Sequence, residues 1–130
     1  NEKGKKKPFS QKSSEPFSFV SPDGIKILVG KNNSQNDRLT FKIAQKDDIW
    51  LHTKDIPGSH VIIKLTEAGL TPQLLPEETL LQAARLAVEY SKAKGSSNVP
   101  VDYTRAKYVK KPSGAKPGFV IFTNQKTIIV

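Results

Sequence analysis

The sequence predicts an α+β fold: a mostly antiparallel β-sheet with one main α-helix, at about residues 77–94, packed on one of its faces. Short runs of apolar and β-branched residues occur both before and after a single segment with helical periodicity. The connections between these runs are short and polar. Strands on both sides of one helix, joined in this way, argue for the α+β class.

Strand-like runs fill the part of the chain before the helix. Ile25, Ile27 and Val29 recur at every second position, which is the pattern of a strand with one buried face. A polar loop rich in Asn is expected at 30–37, because Asn and Asp favour turns. The strands predicted in this part are 17–20, 25–29, 39–43, 49–52 and 60–65.

The helix at 77–94 has recognisable ends. Glu77 suits the positive end of the helix dipole and Lys94 the negative end, and apolar residues recur at helical spacing between them. Gly95 is a plausible residue for the turn that ends the helix. The strands predicted after it are 99–103, 106–109, 119–122 and 127–130.

Composition limits the classes of partner. The chain has 130 residues and a formal charge of +9, from 21 Lys and Arg against 12 Asp and Glu. A charge this positive favours RNA, DNA or an anionic membrane surface. The absence of cysteine excludes a disulfide framework and a thiolate metal site. No apolar run approaches the roughly 20 residues of a membrane span and no signal-peptide core is visible, so we expect a cytoplasmic protein without membrane contact.

Two regions differ in composition. Residues 1–16 are rich in Lys, Ser, Gln and Pro and contain little to bury, so a disordered basic linker is expected there. One folded domain with a modest core is expected at 17–130. The chain starts with Asn1, contains no Met and stops inside an apolar run. We therefore expect it to be a fragment of a protein that continues in both directions.

Residues 110–118 carry the strongest functional signal. Lys110, Lys111 and Lys116 lie on a segment with two prolines, which fix φ, and two glycines, which permit unusual φ. We expect a shaped loop that holds phosphates at defined positions, with Lys107 just upstream as a further contact. The alternative is that these lysines are ordinary solvated surface residues.

Trp50 and His52 are predicted to project from one face of a strand. Trp50 could offer a base-stacking platform or pack in the core. His52 and His60, with Asp48 and Asp55 nearby, leave three alternatives open: buried structural roles, contact with RNA, or a metal-dependent hydrolase site. Their spacing matches no metal motif, and no metal or cofactor is predicted.

Two polar turns add candidate contacts. Lys31, Asn32 and Asn33 belong to a dense set of amides, which either serves the turn alone or reads sugar hydroxyls and base edges. Ser59 follows Gly58 in a tight turn, where its hydroxyl could contact a phosphate or a sugar. A plain turn is the alternative.

In order along the chain, these motifs resemble the C-terminal RNA-binding (R) domain of NFACT proteins. Bacterial members of that family are often described as fibronectin-binding protein A-like and belong to the ribosome quality-control group. The motifs are Gly30-Lys31-Asn32-Asn33, Gln35-Asn36-Asp37, Asp48 with Trp50 and His52, Pro57-Gly58-Ser59-His60-Val61, Tyr90-Ser91, Val101-Asp102-Tyr103-Thr104 and the 110–118 loop. Together they cover about 17–130 and are highly specific.

The resemblance implies a non-catalytic RNA-binding module of a larger protein, with tRNA or ribosomal RNA of the large subunit as its partner. Members of the family engage large ribosomal subunits that retain a peptidyl-tRNA, and bacterial members promote addition of C-terminal alanines to the stalled chain. That activity also involves domains outside this chain. The family label leaves a surface adhesin that binds fibronectin as an alternative.

Overall fold

Six strands form one antiparallel sheet in the computed structural model, which describes residues 15–130. The strands are β1 (Phe17–Val20), β2 (Lys26–Val29), β3 (Ile49–Thr53), β4 (Val61–Ile63), β5 (Pro100–Arg105), β6 (Val109–Lys110), β7 (Ile121–Phe122) and β8 (Lys126–Ile129). The helices are α1 (Asn33–Arg38) and α2 (Glu77–Glu89). The sheet has the order β1-β2-β4-β3-β5-β8, and β6 and β7 form a separate ribbon. The α+β class is confirmed, while residues 1–14 of the predicted linker lie outside the described residues.

One face of the sheet packs on α2. Ile27, Leu51 and Ile63 come from three neighbouring strands and are 0% exposed. On the helix, Ala84 and Ala87 are equally buried, and their small side chains let the helix approach the sheet closely. Removal of this apolar surface from water is the main force that holds the two layers together. In the described part of the chain, neither helix is both long and apolar enough to cross a membrane.

The opposite face of the sheet is covered as well. Leu28, Trp50 and Ile62 point away from α2 and pack against Leu39 and Val109. The cover on this side therefore comes from the segment that follows α1 and from the β6–β7 ribbon. The sheet lies between two layers, and the sequence predicted only the first of them.

The predicted strand at 39–43 is wrong, because this segment continues α1 as a π-helical turn. The Ala44 N–H donates to the Leu39 carbonyl at 2.8 Å, which is the hydrogen bond that closes such a turn. The helix begins inside the predicted polar loop, where the Asn32 side chain caps it by accepting from the Gln35 N–H at 2.9 Å. Leu39 and Thr40 are buried whereas Phe41 is exposed, so the alternation of apolar and polar residues here does not mark a buried face.

α2 starts where the sequence predicts but ends at Glu89 rather than at Lys94. Beyond the helix the chain pairs with the loop before β4. Gly58 and Ser91 form an isolated β-bridge, and the Lys92 N–H donates to the carbonyl of the residue before Gly58 at 2.9 Å. These backbone groups are used between segments, so they are not available to prolong the helix.

The C-terminal elements agree with the prediction in part. The run at 99–103 is β5 and the run at 127–130 is β8. The run at 106–109 begins instead as a 3₁₀ turn, Ala106–Tyr108, before β6. The run at 119–122 contributes only the two residues of β7.

A buried ion pair joins the sheet to the segment after α1. Lys64 Nζ donates to Asp48 Oδ2 at 2.9 Å, and the two side chains are 8% and 0% exposed. Lys64 also donates to the Ile43 carbonyl at 2.9 Å. The Asp48 carboxylate accepts from the backbone N–H groups of Gln45 and Thr66 at 2.8 and 2.9 Å. Such a pair is costly to break from one side, because the remaining charge stays buried without a partner.

Replacement of Asp48 by Ala is expected to lower the free energy of unfolding by about 3–5 kcal/mol, since it leaves the Lys64 ammonium uncompensated. Urea denaturation of the purified domain measures the change. Glu89→Ala is the matched control, because Glu89 pairs with Lys94 at 3.2 Å on the surface and should change the stability by about 1 kcal/mol or less. A loss in Asp48→Ala no larger than in this control would contradict the argument.

Candidate nucleic-acid interface

The lysine-rich segment 110–118 connects β6 to β7 through a shaped loop. In its first turn the Ala115 N–H donates to the Pro112 carbonyl at 3.0 Å. Gly114 and Gly118 have φ values of 75° and 87°, which only glycine adopts without steric cost. The backbone of the loop therefore has a defined shape that its glycines permit. We refer to it as the lysine loop.

Lys111 fastens the lysine loop to α1. Its ammonium donates to the Asp37 carboxylate at 3.1 Å, to the Phe119 carbonyl at 2.9 Å and also to the Lys116 carbonyl. The same carboxylate accepts from the Gly118 N–H at 2.9 Å. The predicted phosphate contact of Lys111 gains no support from this geometry, because oxygen acceptors within the domain already bind its ammonium. Lys111 acts as an internal brace.

Lys110 and Lys116 lie on the outside of the same loop and are exposed. Within residues 15–130, neither of them takes part in an ion pair. Lys107 is also exposed, but its Nζ is 3.9 Å from the Asp47 carboxylate and 5.4 Å from the Tyr108 ring centroid. Lys110 and Lys116 are thus better placed than Lys107 to meet an anion.

An open cleft of about 350 Å³ lies beside the lysine loop. We refer to it as the polar cleft, and it is lined by Lys31, Asn32, Asn33, Asn36, Pro57, Gly58, Ser59, Tyr90, Ser91 and Lys92. The cleft brings together four of the predicted contacts, Lys31, Asn32, Asn33 and Ser59, from two loops. It adds Lys92, which is not among the predicted contacts, although its position next to the Tyr90-Ser91 motif could have pointed to it.

Backbone contacts hold the walls of the polar cleft together. The Ser59 hydroxyl donates to the Gly30 carbonyl at 2.6 Å, and its N–H donates to the Tyr90 carbonyl at 3.0 Å. A Cβ atom on Gly58 would lie 2.6 Å from the Ser91 Cβ, so only glycine allows the two segments to come this close. The Ser59 oxygen still has lone pairs with which to accept a hydrogen bond from a ligand.

The lysine loop meets the polar cleft at Asn33. A Cβ atom on Gly118 would lie 2.6 Å from Asn33 Oδ1, so the end of the loop runs against the edge of the cleft. Lys31 and Lys92 on the cleft and Lys116 on the loop, all exposed, therefore belong to adjoining parts of one surface. Their sequence separation gives no hint of this.

His60, which is 1% exposed, connects the sheet, α1 and the lysine loop. Trp50 Nε1 lies 3.1 Å from His60 Nδ1, and an indole N–H can only donate. His60 Nδ1 is therefore the unprotonated nitrogen of a neutral ring, and Nε2 carries the hydrogen. The Thr40 hydroxyl donates to the same Nδ1 at 2.8 Å, and Nε2 donates to the Gly118 carbonyl at 3.1 Å. The His60 N–H donates to Asn36 Oδ1 at 3.1 Å.

The environment keeps both histidines from gaining a proton easily. Burial, helped by the neighbouring His52, lowers the pKa of His60 to about 4. Burial also lowers the pKa of His52. The His52 ring is half-buried and lies parallel to the Trp50 indole, with 5.9 Å between the centroids. The prediction that Trp50 and His52 project from one face of a strand is confirmed.

These positions give no support to two of the predicted RNA contacts, Trp50 and His60. Trp50 is 1% exposed and packs in the core, so its ring faces are closed to a nucleobase. His60 already uses both ring nitrogens within the domain. The hydrolase alternative gains no support, since Asp48 is paired with Lys64. In the part of the chain that the structure describes, no three His, Cys, Asp or Glu side chains are grouped so that they could hold a metal ion.

Comparison with known proteins agrees with this picture. The sequence profile of the NFACT protein RNA binding domain matches residues 15–124. The chain belongs to this family. The resemblance to NFACT proteins that the motifs carry is thereby confirmed, and it covers both the lysine loop and the polar cleft.

Two curated relatives of this NFACT domain cover most of its length. The Rqc2 homolog RqcH of Bacillus subtilis (strain 168) is 53% identical over 131 residues, which are 99% of this chain and 21% of that protein. The Rqc2 homolog RqcH of Streptococcus suis (strain 05ZYH33) is 50% identical over 121 residues, 92% of this chain and 21% of that protein. The chain thus spans about a fifth of the length of these relatives.

A solved structure shows the same fold. The C-terminal part of the fibronectin/fibrinogen-binding protein from Streptococcus suis (FBPS) superposes with a TM-score of 0.79 and is 50% identical to this chain. The match covers 89% of this chain and 45% of that chain. The NFACT domain described here therefore has a close structural counterpart.

The buried His60 is expected to make the domain less stable as the pH falls. Its pKa is lowered from 6.5 to about 4 in the folded state, so between these values the unfolded state binds more protons. The free energy of unfolding should decrease, by on the order of 3 kcal/mol in total, as the pH falls from about 6.5 to 4. Urea denaturation at a series of pH values measures this change.

His60→Gln should remove most of that pH dependence, whereas His52→Gln should keep the part that is due to His60. Asp37 and Lys111 act on His60 in opposite directions, raising and lowering its pKa respectively. A pH dependence in His60→Gln as steep as in the unaltered domain would show that other groups cause it.

Proposed function

We propose that this NFACT domain binds tRNA or ribosomal RNA of the large subunit, as a non-catalytic module of a ribosome quality-control factor that acts on stalled large subunits. The observation that carries the proposal is the junction at Asn33, where the lysine loop meets the polar cleft. This junction unites basic side chains from three parts of the sequence. The family match, the two RqcH relatives and the net charge of +9 support an RNA partner.

Four exposed lysines would neutralise phosphates along this surface. Lys110 and Lys116 lie on the lysine loop, and Lys31 and Lys92 lie on the polar cleft. Lys107 would add a weaker contact, because it already lies near an aspartate. An ammonium binds phosphate as a point charge, so these contacts give affinity and little sequence preference.

The polar residues between the lysines would orient the RNA backbone. The amides of Asn32 and Asn33 have both donors and acceptors, and both residues are exposed. The Ser59 hydroxyl can accept a hydrogen bond from a ribose 2′-hydroxyl, which distinguishes RNA from DNA. Lys111 and His60 would contribute indirectly, by holding the lysine loop against α1 and the sheet.

The place of action follows from the same proposal. A domain that engages large ribosomal subunits would act in the cytoplasm, where translation takes place.

Reversal of charge on the lysine loop is expected to weaken RNA binding. The double variant Lys110→Glu and Lys116→Glu should bind tRNA at least tenfold more weakly, because each phosphate contact releases condensed counterions. The slope of log K against log salt concentration should become shallower by about one to two units. Fluorescence anisotropy with labelled tRNA over a salt series measures both quantities.

Lys26→Glu with Arg85→Glu is the matched control for this experiment. It changes the net charge by the same amount on exposed residues, at the far end of β2 from the cleft and on α2. The control should keep most of the affinity. Equal losses in the two double variants, or a flat salt dependence of the unaltered domain, would contradict the proposed surface.

Binding of fibronectin is a second candidate, which the name of the Streptococcus suis structural relative favours. The basic surface would attract acidic proteins non-specifically, and such attraction is screened by salt. We expect any fibronectin binding by this chain to disappear at about 0.5 M salt or when tRNA competes. Surface plasmon resonance with immobilised fibronectin tests this, and binding that persists under both conditions would favour the adhesin role.

A further inference from the structure

A second cavity, of about 310 Å³, lies between the sheet and the end of the lysine loop. We refer to it as the aromatic pocket. Trp50, His52 and Phe122 line its inner part, and Phe119 stands at its edge with 57% of its surface exposed. The volume is at the lower end of the range for small-molecule sites, in which aromatic walls and a few polar groups are usual.

The charges of the aromatic pocket are opposite to those of the lysine loop. Asp55 and Asp102 are among its lining residues, and these lining residues include no Lys or Arg. The pocket is therefore unfavourable for a phosphate and favourable for a planar group that donates hydrogen bonds.

Asp102 supplies an acceptor deep in this pocket. It is 3% exposed, and its Oδ1 accepts from the Thr127 hydroxyl at 2.7 Å and lies 3.8 Å from Lys54 Nζ. Among the described residues, these are the contacts with the Asp102 carboxylate, and both of them use Oδ1. Oδ2 remains open to a ligand, and one nearby ammonium balances the charge of the group.

His52 lies directly across the strand pair from Asp102. Its half-buried ring is stacked in parallel on the Trp50 indole and edge-on to His60. It offers a flat, uncharged surface beside the carboxylate. Phe119, at the edge of the pocket, offers a second aromatic surface that is largely exposed to solvent.

We propose that the aromatic pocket receives one unpaired nucleobase of the bound RNA and that it favours guanine. This inference rests on the proposed RNA-binding function. Gly118 lines the pocket and also ends the lysine loop, so a base in the pocket would have its phosphates next to Lys116. Guanine presents two adjacent donors, N1–H and N2–H₂, which can bind the open Oδ2 and the second lone pair of Oδ1, and single-stranded bases commonly stack on Phe or His rings.

The test uses labelled oligouridines of about ten nucleotides, a length within the range of single-strand binding sites. One central position carries guanosine, inosine or uridine, and anisotropy gives the affinity of the whole chain for each. The guanosine oligonucleotide should bind about tenfold more tightly than oligouridine. Inosine lacks the N2 amino group, so it should fall between them.

Two variants locate the preference in the pocket. Phe119→Ala should reduce the preference for guanosine to about threefold or less, while the salt dependence of oligouridine binding persists. Ile121→Ala is its matched control, because Ile121 is 53% exposed on the same ribbon and does not line the pocket. Asp102→Asn keeps the shape of the side chain and should abolish the difference between guanosine and inosine.

The outcomes separate this inference from the proposed function. Salt-dependent binding with equal affinities for all three oligonucleotides would overturn the base pocket and leave the lysine surface intact. The base pocket would also be overturned if Phe119→Ala kept the same preference for guanosine as Ile121→Ala. Binding of tRNA without binding of any of the oligouridines would have the same meaning. Failure of the unaltered chain to bind either tRNA or any oligonucleotide would overturn the proposed function, and the base pocket with it.

Discussion

The neutral imidazole of His60 is the interaction on which the second layer of the domain depends. Its Nδ1 accepts from the Trp50 indole in the sheet and from the Thr40 hydroxyl after α1, and its Nε2 donates to the Gly118 carbonyl in the lysine loop. Only one tautomer of the neutral ring satisfies this set of partners. A proton on Nδ1 would face the Trp50 indole N–H, which can only donate, so the burial that lowers the pKa of His60 also protects the junction of the three elements.

The lysine loop has a second attachment of a different kind. Lys111 and Asp37 join it to α1 by an ion pair in which both side chains are 27% exposed, and the Gly118 N–H donates to the same carboxylate. The hydrogen bond to Gly118 comes from the buried His60 ring, whereas the Lys111–Asp37 ion pair is partly exposed. Together they fix the backbone from the inside and leave Lys110 and Lys116 outside. A loop that is already ordered loses less conformational entropy when it binds, so its contacts contribute more of their energy to affinity.

Residue patterns predicted the parts of the fold that depend on local periodicity. The alternation around β2 and β3 and the helical spacing of α2 are properties of short segments, and they identified the main sheet and the helix that packs on it. The segment 39–43 misled this approach, because its apolar and polar residues alternate like those of a strand although it forms a π-helical turn that buries Leu39 and Thr40. Only the cap at Asn32, which begins a helix, distinguishes the two cases.

The candidate site was harder to predict, for a physical reason. Sequence identifies Lys111 as a cation, but it does not show that its acceptor, Asp37, lies 74 residues away. Trp50 presents the same difficulty, since whether an indole is a platform or part of the core depends on what covers it. Here the cover is the segment after α1 and the β6–β7 ribbon. Long-range partners decide the role of each side chain, and a single sequence does not reveal them.

The two cavities beside the lysine loop divide the chemistry of a nucleotide between them. Lysines and amides line or flank the polar cleft, whereas carboxylates and aromatic rings line the aromatic pocket. Phosphate contacts supply affinity without sequence information, and contacts with base edges supply discrimination. In the proposed complex, carboxylates such as Asp102 would disfavour phosphates in the pocket, so the RNA backbone would stay on the outer surface. The opposite charges would then set the orientation of the strand, with its phosphates against the loop and its base turned toward the sheet.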